Sequence, residues 1–375
     1  MAGFVGASLR LARLFHGLSL ADLGEKVNVS KQFLSRVESG SERVSPSLEA
    51  SLASELEVLP EFFRHIDANP ISDEQCHFRS HLTTKVALRQ VARARGEMLK
   101  NLVSVIDQHV ELPSYGIEEA EPESVESIER AAERFRSVFG LGVGPLSNVL
   151  RIAENAGAVV MKVRGLAPEI DAISFATHRP LIALNDDGRS ACRRRFGIAH
   201  ELGHFALHIG VLTGDRLTET QANRFASALL MPRHSFASEC HMAIRGARLN
   251  WPGLSALKMR WGVSKAAIVY RGRQLGVLSE DQARAGYIGL KRHGEAIQET
   301  EDASMPHEEP EVVADSLALM RESLGIPLTA IARQMRVQPH LLDGLLMNRV
   351  ESVAAVGNVV NLFSTCASEA ERSDI

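Results

Sequence analysis

The sequence predicts a multidomain protein in which two all-α domains flank a central α+β domain with a small sheet. Before residue 66 and again beyond residue 311, apolar residues recur at the three- and four-residue spacing of amphipathic helices. Between these blocks, residues 158–163 and 181–185 form short β-branched or apolar runs with Gly or Pro nearby, which is typical of strands. The 375 residues also suffice for about two or three domains of ordinary size.

Three acidic or Pro-containing stretches interrupt the helical patterns, at residues 67–74, 118–123 and 298–311. Clusters of like charge and Pro disfavour helix and suit loops or linkers. The third stretch is interpreted as a true interdomain linker, because it combines two prolines with many acidic residues. We therefore expect three domains, at residues 1–66, 76–297 and 311–365.

Composition and charge are those of an ordinary globular protein, with 45% hydrophobic and 23% charged residues. The net charge of −4 argues against a chain that is basic throughout, but it permits one local DNA-binding surface. The absence of a run of about 18 apolar residues predicts no transmembrane helix and no membrane partner. The four cysteines are widely spaced with no CxxC pair, so we expect neither a disulfide framework nor a cysteine zinc site, and a cytoplasmic location fits best; they are Cys76, Cys192, Cys240 and Cys366.

The most informative chemical motif is His200-Glu201-Leu202-Gly203-His204, which lies in a long helical pattern. Positions i and i+4 share one helix face, so His200 and His204 can reach one metal ion. Neutral imidazole suits Zn²⁺, and Glu201 is placed to act as general base on a water whose pKa the zinc lowers. An HExxH pattern also arises by chance in ordinary helices. The apolar flank nevertheless favours the metal, because two buried histidines need a partner.

A catalytic zinc requires a third protein ligand, and we favour Glu219 from the following helical pattern. Asn223 lies four residues after Glu219 and could hold a ligand histidine through its second ring nitrogen. The rival ligand is His208. A continuous helix cannot bring residues 200, 204 and 208 round one ion, so we expect His208 to be a helix-end residue or a partner of a ligand.

The runs RRRFGIAHELGHFALH and ETQANRFASALLMP resemble the ImmA/IrrE family of metallopeptidases. The flanking IDAISF, PLIALN and LKMRWGVSKAAIVYRGRQLG fit the same family, as does HFRS at residues 77–80, so the resemblance covers residues 76–290. It implies a zincin-like fold with a thermolysin-like zinc site, in which His200, His204 and Glu219 bind zinc and Glu201 is catalytic. In this family an acidic residue is frequent at the position that Gln221 occupies here, so Gln221 departs from the family pattern. Tyr270 and His178 are candidates for stabilising the transition state.

The N-terminal block resembles the helix-turn-helix fold of the XRE/Cro family over about 60 residues, on the stretch LSLADLGEKVNVSKQFLSRVESG. Ser30 has the position of an N-cap, and Asn28 in the turn tolerates unusual backbone angles. In this fold the second helix enters the major groove of double-stranded DNA. The residues expected to face the bases are Lys31, Gln32, Ser35 and Arg36.

Two alternatives remain open for this surface. The same four polar residues could form an ordinary solvated helix face. Because the block is not net basic, a homodimer or the Arg-rich pattern at residues 89–100 could add binding energy, although that pattern also suits a solvated face.

An internal repeat links the two ends of the chain. Seven apolar positions between Leu18 and Val37 recur at a constant offset of 308 residues, from Ile326 to Leu345, which predicts a second helix-turn-helix-like unit. Pro339 replaces Lys31 at the start of its second helix, where proline is tolerated. Its outward face is poor in cations, so it could contact protein or mediate dimerisation rather than read DNA; these outward residues are Gln338, His340, Asp343 and Asn348.

Three functions compete at this point. The first is a DNA-binding regulator that also cleaves a protein, either a repressor or the chain itself. The family resemblance implies that the substrate is often a DNA-binding repressor, whose cleavage induces a stress or mobile-element response, and a helix-turn-helix repressor is one candidate. The second is a transcription factor whose zinc domain is a non-catalytic sensor or scaffold. The third is an antitoxin-like repressor. Glu201 favours the first over the second, because a non-catalytic zinc site needs no base beside its water.

Overall fold

The computed structural model describes residues 3–65, 67–79, 86–163, 171–185 and 188–346, and these ranges are mostly helical with a small mixed sheet. Several positions singled out in the sequence lie outside the described residues. They are Ser80, Asn348, Cys366, the side chain of Asp343 and the end of the expected C-terminal domain, 347–365.

The N-terminal block forms four helices and one 3-10 helix, Pro60–Arg64. The four helices are α1 (Gly6–Phe15), α2 (Leu20–Lys26), α3 (Lys31–Glu38) and α4 (Pro46–Glu55). The predicted cap and turn are present. The Ser30 hydroxyl accepts a hydrogen bond from the Phe33 N–H at 3.2 Å, which satisfies a free donor of the first turn of α3. Asn28 takes the left-handed conformation, with φ of 54°.

The central part of the chain contains six strands and nine helices within the described ranges. The strands are β1 (Cys76–Arg79), β2 (Val159–Val163), β3 (Ala172–Phe175), β4 (Leu181–Asn185), β5 (Ile244–Arg245) and β6 (Arg248–Leu249). The helices are α5 (Val86–Asp107), α6 (Val125–Val138), α7 (Val149–Asn155), α8 (Ala191–Leu207), α9 (Arg216–Leu230), α10 (Arg233–Cys240), α11 (Trp251–Trp261), α12 (Lys265–Gln274) and α13 (Glu280–Arg292).

The main sheet has the order β1-β3-β4-β2. Strands β2 and β4 are parallel, whereas β3 is antiparallel to both of its neighbours. Successive side chains of a strand point to opposite faces, so β2, β3 and β4 each contribute to two cores. One core is formed with α6, α7, α8 and the helices that follow α8. The other contains α5 and the N-terminal helices, and there Gly96 of α5 packs directly on the Phe175 ring, since a Cβ at Gly96 would lie only 2.3 Å from it.

The acidic stretch 298–311 is packed against the central domain, so its interpretation as an interdomain linker is wrong. It contains a 3-10 helix, Thr300–Ser304. The fully buried Lys258 Nζ lies 2.7 Å from a Glu299 oxygen and 2.5 Å from an Asp302 oxygen. The physical reason is charge neutralisation, because a buried ammonium group is tolerated only with counterions and the acidic stretch supplies them.

Three further helices follow, α14 (Val312–Glu322), α15 (Leu328–Met335) and α16 (Pro339–Leu345). At the repeat offset of 308 residues, α15 and α16 begin where α2 and α3 begin. Arg336, the counterpart of Asn28, is also left-handed, with φ of 60°. This turn pairs with the end of the N-terminal block, because the Leu59 N–H donates to the Arg336 carbonyl and the Gln338 N–H to the Glu57 carbonyl, both at 2.8 Å.

None of the helices in the described ranges is long and apolar enough to cross a membrane.

Candidate functional site

Helices α8 and α9 carry the candidate metal ligands and pack closely against each other. His200, Glu201 and His204 lie on α8, and Glu219 lies in the first turn of α9. Gly203 permits this approach. A Cβ atom at this position would lie 3.1 Å from the Ala222 carbonyl oxygen, which is shorter than most contacts that Cβ atoms make. The small residue inside the HELGH motif therefore brings the two ligand-bearing helices together.

Three ligand atoms converge between these helices. The His200 and His204 Nε2 atoms are 3.1 Å apart. Glu219 places one carboxylate oxygen 3.3 Å from His200 Nε2 and the other 3.5 Å from His204 Nε2. Of the residues described, these three form the group of histidine, cysteine and acidic side chains whose ligand atoms lie within 4.8 Å of one another.

A hydrogen bond at the far ring nitrogen fixes the tautomer of His200. Its Nδ1 lies 3.0 Å from the Asn223 Oδ1. An amide oxygen can only accept, so in the neutral ring Nδ1 carries the proton and Nε2 presents a lone pair to the cluster. Asn223 thus has the contact expected for the partner of a metal-binding histidine.

A longer chain of hydrogen bonds fixes the tautomer of His204. The Gln221 amide nitrogen donates to the Pro122 carbonyl at 3.1 Å, which turns the Gln221 oxygen towards His208. His208 Nε2 donates to that oxygen at 2.9 Å, leaving its Nδ1 as an acceptor. His204 Nδ1 donates to this acceptor at 3.0 Å, so the His204 Nε2 also presents a lone pair to the cluster.

The resulting site fits a bound zinc ion. Two imidazole lone pairs and a carboxylate meet without a proton between them, which is an arrangement that needs a cation. Two nitrogens and one oxygen are typical zinc ligands. Burial drives the pKa of His204 well below its ordinary value, which keeps the ring neutral. Burial acts to raise the pKa of Glu219, but its position beside His200 and His204 lowers the pKa overall, which keeps the carboxylate charged.

Comparison with known protein families matches two segments of this chain. Residues 153–272 match the M78 peptidase family model, described as the IrrE N-terminal-like domain, and residues 5–61 match a helix-turn-helix domain. The two matches show an IrrE-like domain and a helix-turn-helix domain in one chain. This confirms the expected combination of an ImmA/IrrE-like domain with an N-terminal helix-turn-helix. No curated protein matches the chain.

Within the IrrE-like domain, a residue of the main sheet holds Glu201 in position by a hydrogen bond. The Ser174 hydroxyl on β3 donates to a Glu201 oxygen at 2.5 Å, and both residues are fully buried. No sequence pattern identifies Ser174 as a site residue. Its position in a short buried strand gave no sign that it faces a helix that begins 17 residues later in the chain.

A fourth histidine, His77 on β1, also lies at the site but outside the matched IrrE-like segment. Its ring stacks on the His204 ring with 4.8 Å between centroids and 7° between planes. Its Nδ1 is 2.8 Å from the Thr213 hydroxyl oxygen, and burial lowers the pKa of His77 to about 3. The sequence offered one signal, because His77 belongs to the HFRS motif, but its role could not be inferred.

The remaining candidates lie elsewhere. His208 follows the last residue of α8 and contacts His204 rather than joining the cluster, as expected. His178 is exposed in the turn between β3 and β4, and Tyr270 lies on α12 with Arg273 5.8 Å from its ring centroid. Among the described contacts, neither His178 nor Tyr270 touches the cluster.

The helix-turn-helix domain presents a polar face on α3. Leu34 and Val37 are buried in the N-terminal core. The opposite side of α3 is solvent-exposed and contains all four residues expected to face DNA, namely Lys31, Gln32, Ser35 and Arg36. Arg36 is 3.3 Å from a Glu42 oxygen in an exposed ion pair, which water screens strongly and which therefore leaves the guanidinium able to exchange partners.

Proposed function

We propose that this protein is a DNA-binding transcriptional regulator whose IrrE-like domain is a zinc-dependent endopeptidase. The observation that carries the proposal is the convergence of the His200, His204 and Glu219 ligand atoms next to Glu201 in the same helix. A structural zinc site is normally closed by four protein ligands, whereas a catalytic one keeps a position open. Three ligands and an adjacent carboxylate match the catalytic arrangement.

In this proposal each residue has a separate task. His200, His204 and Glu219 would hold the zinc, which supplies Lewis acidity to polarise a peptide carbonyl and to activate water near neutral pH. Glu201 takes the proton from the attacking water and passes it to the leaving amine. The Ser174 hydroxyl holds one oxygen of Glu201 and so orients the carboxylate. Asn223 and His208 keep the two ligand rings in the tautomer that leaves Nε2 unprotonated.

The helix-turn-helix domain would bring this activity to a DNA site. The exposed face of α3 carries groups that suit base edges in the major groove, with Gln32 matched to adenine and Lys31 or Arg36 to guanine. The family resemblance suggests a helix-turn-helix repressor, or the chain itself, as the protein substrate. Cleavage would then switch a stress or mobile-element response.

The C-terminal helices would form a second helix-turn-helix-like unit that contacts protein. Residues at the start of its second helix are engaged by the N-terminal block, since the Gln338 N–H bonds to the Glu57 carbonyl and His340 Nε2 lies 3.0 Å from a Glu57 oxygen. A recognition helix uses these first residues to reach base edges. Their contacts therefore favour docking over DNA reading.

A non-catalytic zinc sensor is the second candidate, and one observation favours it. His200, Glu201 and His204 are at most 1% exposed, so this structure offers a substrate little access to them. The two candidates differ in whether the protein turns over a substrate.

The decisive experiment incubates the zinc-loaded full chain with purified candidate repressors and follows fragments by mass spectrometry. Glu201→Gln should retain zinc and lose about 100-fold or more in cleavage rate, because only the general base is removed. His204→Ala should lose the zinc. Cleavage that persists in Glu201→Gln would contradict the mechanism, and a chain that holds zinc stoichiometrically but cuts no candidate would favour the sensor.

A further inference from the structure

One edge of the main sheet lies next to the candidate ligand cluster, and strand β1 of the same chain occupies this edge. Strand β1 pairs with β3 in antiparallel register, with His77 directly opposite Ser174. Because Ser174 holds Glu201, this edge borders the candidate catalytic groups. Strand β1 lies before residues 153–272, the segment that matches the family model, although its HFRS motif fits the same family.

An extended peptide is commonly bound by adding as a strand to an exposed sheet edge. Substrate for this site must place a backbone carbonyl at Glu201 and the ligand cluster, and β3 is the strand whose side chain contacts Glu201. A substrate adding antiparallel to β3 would therefore need the place that β1 fills. His77 also covers the cluster from this side, because its ring stacks flat on His204.

We propose that β1 is an internal inhibitory strand, which occupies the substrate-binding edge of β3 and must leave it before a peptide can reach the site. The inference rests on the proposed peptidase function. It explains why His200, His204 and Glu201 are almost fully buried in a site of catalytic type. It also assigns the substrate class, an extended peptide segment that pairs antiparallel with β3.

The contacts that hold β1 are compatible with release. The Gln75 side chain donates to the Ala176 carbonyl at 3.1 Å, and Thr213 contacts His77 Nδ1 at 2.8 Å. Before the strand, Asp73 pairs with Arg93 at 2.8 Å, with 77% and 41% of these two side chains exposed. Exposed ion pairs stabilise little, and the strand itself is only four residues long. Release of this short strand would expose the buried side chains of Cys76 and His77, whereas the larger part of each core belongs to other strands and helices.

The test uses the full zinc-loaded chain and a double variant, Gln75→Ala with Thr213→Val, which loosens β1 and changes no ligand of the cluster. Losing two hydrogen bonds should shift the opening equilibrium about ten-fold or more. We therefore expect zinc loss to excess EDTA to accelerate by about that factor, and any basal peptide cleavage to rise with it. The matched control is Gln108→Ala with Thr300→Val, two exposed positions remote from β1, which should behave as the parent.

Hydrogen–deuterium exchange on the unaltered chain provides a second measurement that needs neither a variant nor zinc. The amides of β1 should exchange at least about ten-fold faster than those of β4, because β1 opens separately from the sheet. Equal exchange of β1 and β4, or equal EDTA rates in both double variants and the parent, would overturn the proposal. Faster zinc loss from the Gln75→Ala and Thr213→Val double variant without any peptide cleavage would support β1 as a cover of the site and contradict the proposed peptidase function.

Discussion

His208 accepts the Nδ1 proton of His204 across 3.0 Å, although it lies outside the group of candidate zinc ligands. Gln221 determines which way this bond runs, because its amide oxygen can only accept the His208 Nε2 proton. A residue that contributes no ligand atom thus decides whether the Nε2 of His204 is available to a metal. An acid at position 221 would leave more than one protonation state of His208 possible, whereas glutamine favours the neutral ring.

The first prediction follows from this relay. His208→Phe keeps the ring volume but removes the acceptor for His204, so zinc affinity should fall about 10- to 100-fold, as it does when such partners are lost elsewhere. Competition with a chromophoric chelator measures the Kd. His178→Phe, an exposed histidine in the β3–β4 turn, is the control and should leave the Kd unchanged. An unchanged Kd in His208→Phe would refute the relay.

The sequence predicted the ligand cluster because helical spacing is local information. His200 and His204 share a face of one helix, and Glu219 opens the next, so neighbouring elements suffice to bring them together. Ser174 and His77 could not be found in this way. Strand pairing brought His77 opposite a residue 97 positions later, and no periodicity in the sequence records such a register.

The second prediction concerns the orientation of Glu201 by Ser174. Ser174→Ala removes the hydroxyl that holds one carboxylate oxygen, so kcat should fall about ten-fold while zinc content and KM stay the same. Ser174→Thr keeps the hydroxyl and should restore most of the rate. A loss of kcat that threonine does not restore would indicate a packing defect rather than lost positioning.

The third prediction concerns the exposed polar side of α3, which we propose faces DNA. Arg36→Ala and Gln32→Ala should each cost about 1–3 kcal/mol in operator binding and relax specificity at one base pair. Affinity measured by fluorescence anisotropy across a salt series separates this effect from phosphate attraction. Lys291→Ala, on the exposed side of α13, is the charge-matched control and should bind as the parent. If Arg36→Ala only weakens binding equally for all sequences, the residue contacts phosphate and not a base.

The fourth prediction concerns the acidic stretch docked on α11. Lys258→Met leaves Glu299 and Asp302 buried without their cation, so the free energy of unfolding should fall by about 3–5 kcal/mol. Denaturant unfolding measures the change. Lys291→Met removes an exposed lysine and should change the free energy by less than about 0.5 kcal/mol. A small effect at Lys258 would mean that the acidic stretch is not held by this contact.

The same contact shows why this stretch was misread from the sequence. Prolines and acids between helical blocks are typical of linkers, and nothing local reveals that their counterions are buried elsewhere. Lys258 lies about 40 residues upstream on α11, where its position in a helical pattern suggests an ordinary exposed lysine. Composition describes a segment in isolation, whereas the partner of a buried charge is a property of the fold.

The fifth prediction concerns pH and the docking of α14. Glu154 on α7 accepts hydrogen bonds from the Glu311 and Val312 N–H groups at 3.1 Å, and it is 2% exposed. Burial raises the pKa of Glu154 to about 8, and the nearby charges of Glu311 and Asp315 add to this, although the two N–H bonds oppose it. Between pH 4.5 and about 8, the folded chain therefore keeps the Glu154 proton, whereas the unfolded chain, in which Glu154 has its ordinary pKa of 4.5, has released it.

The sign of the effect follows from which state holds the proton. The contribution of Glu154 to stability is complete below pH 4.5 and is lost as the pH rises to about 8, with a slope of at most about 1.4 kcal/mol per pH unit. Glu154→Gln cannot titrate, so subtracting its unfolding free energy from that of the parent at each pH isolates this residue. We expect the difference to change steadily between pH 5 and about 8 and to level off above it. A difference that stays constant across this range would show that Glu154 is charged in the folded protein and that its two N–H partners outweigh burial.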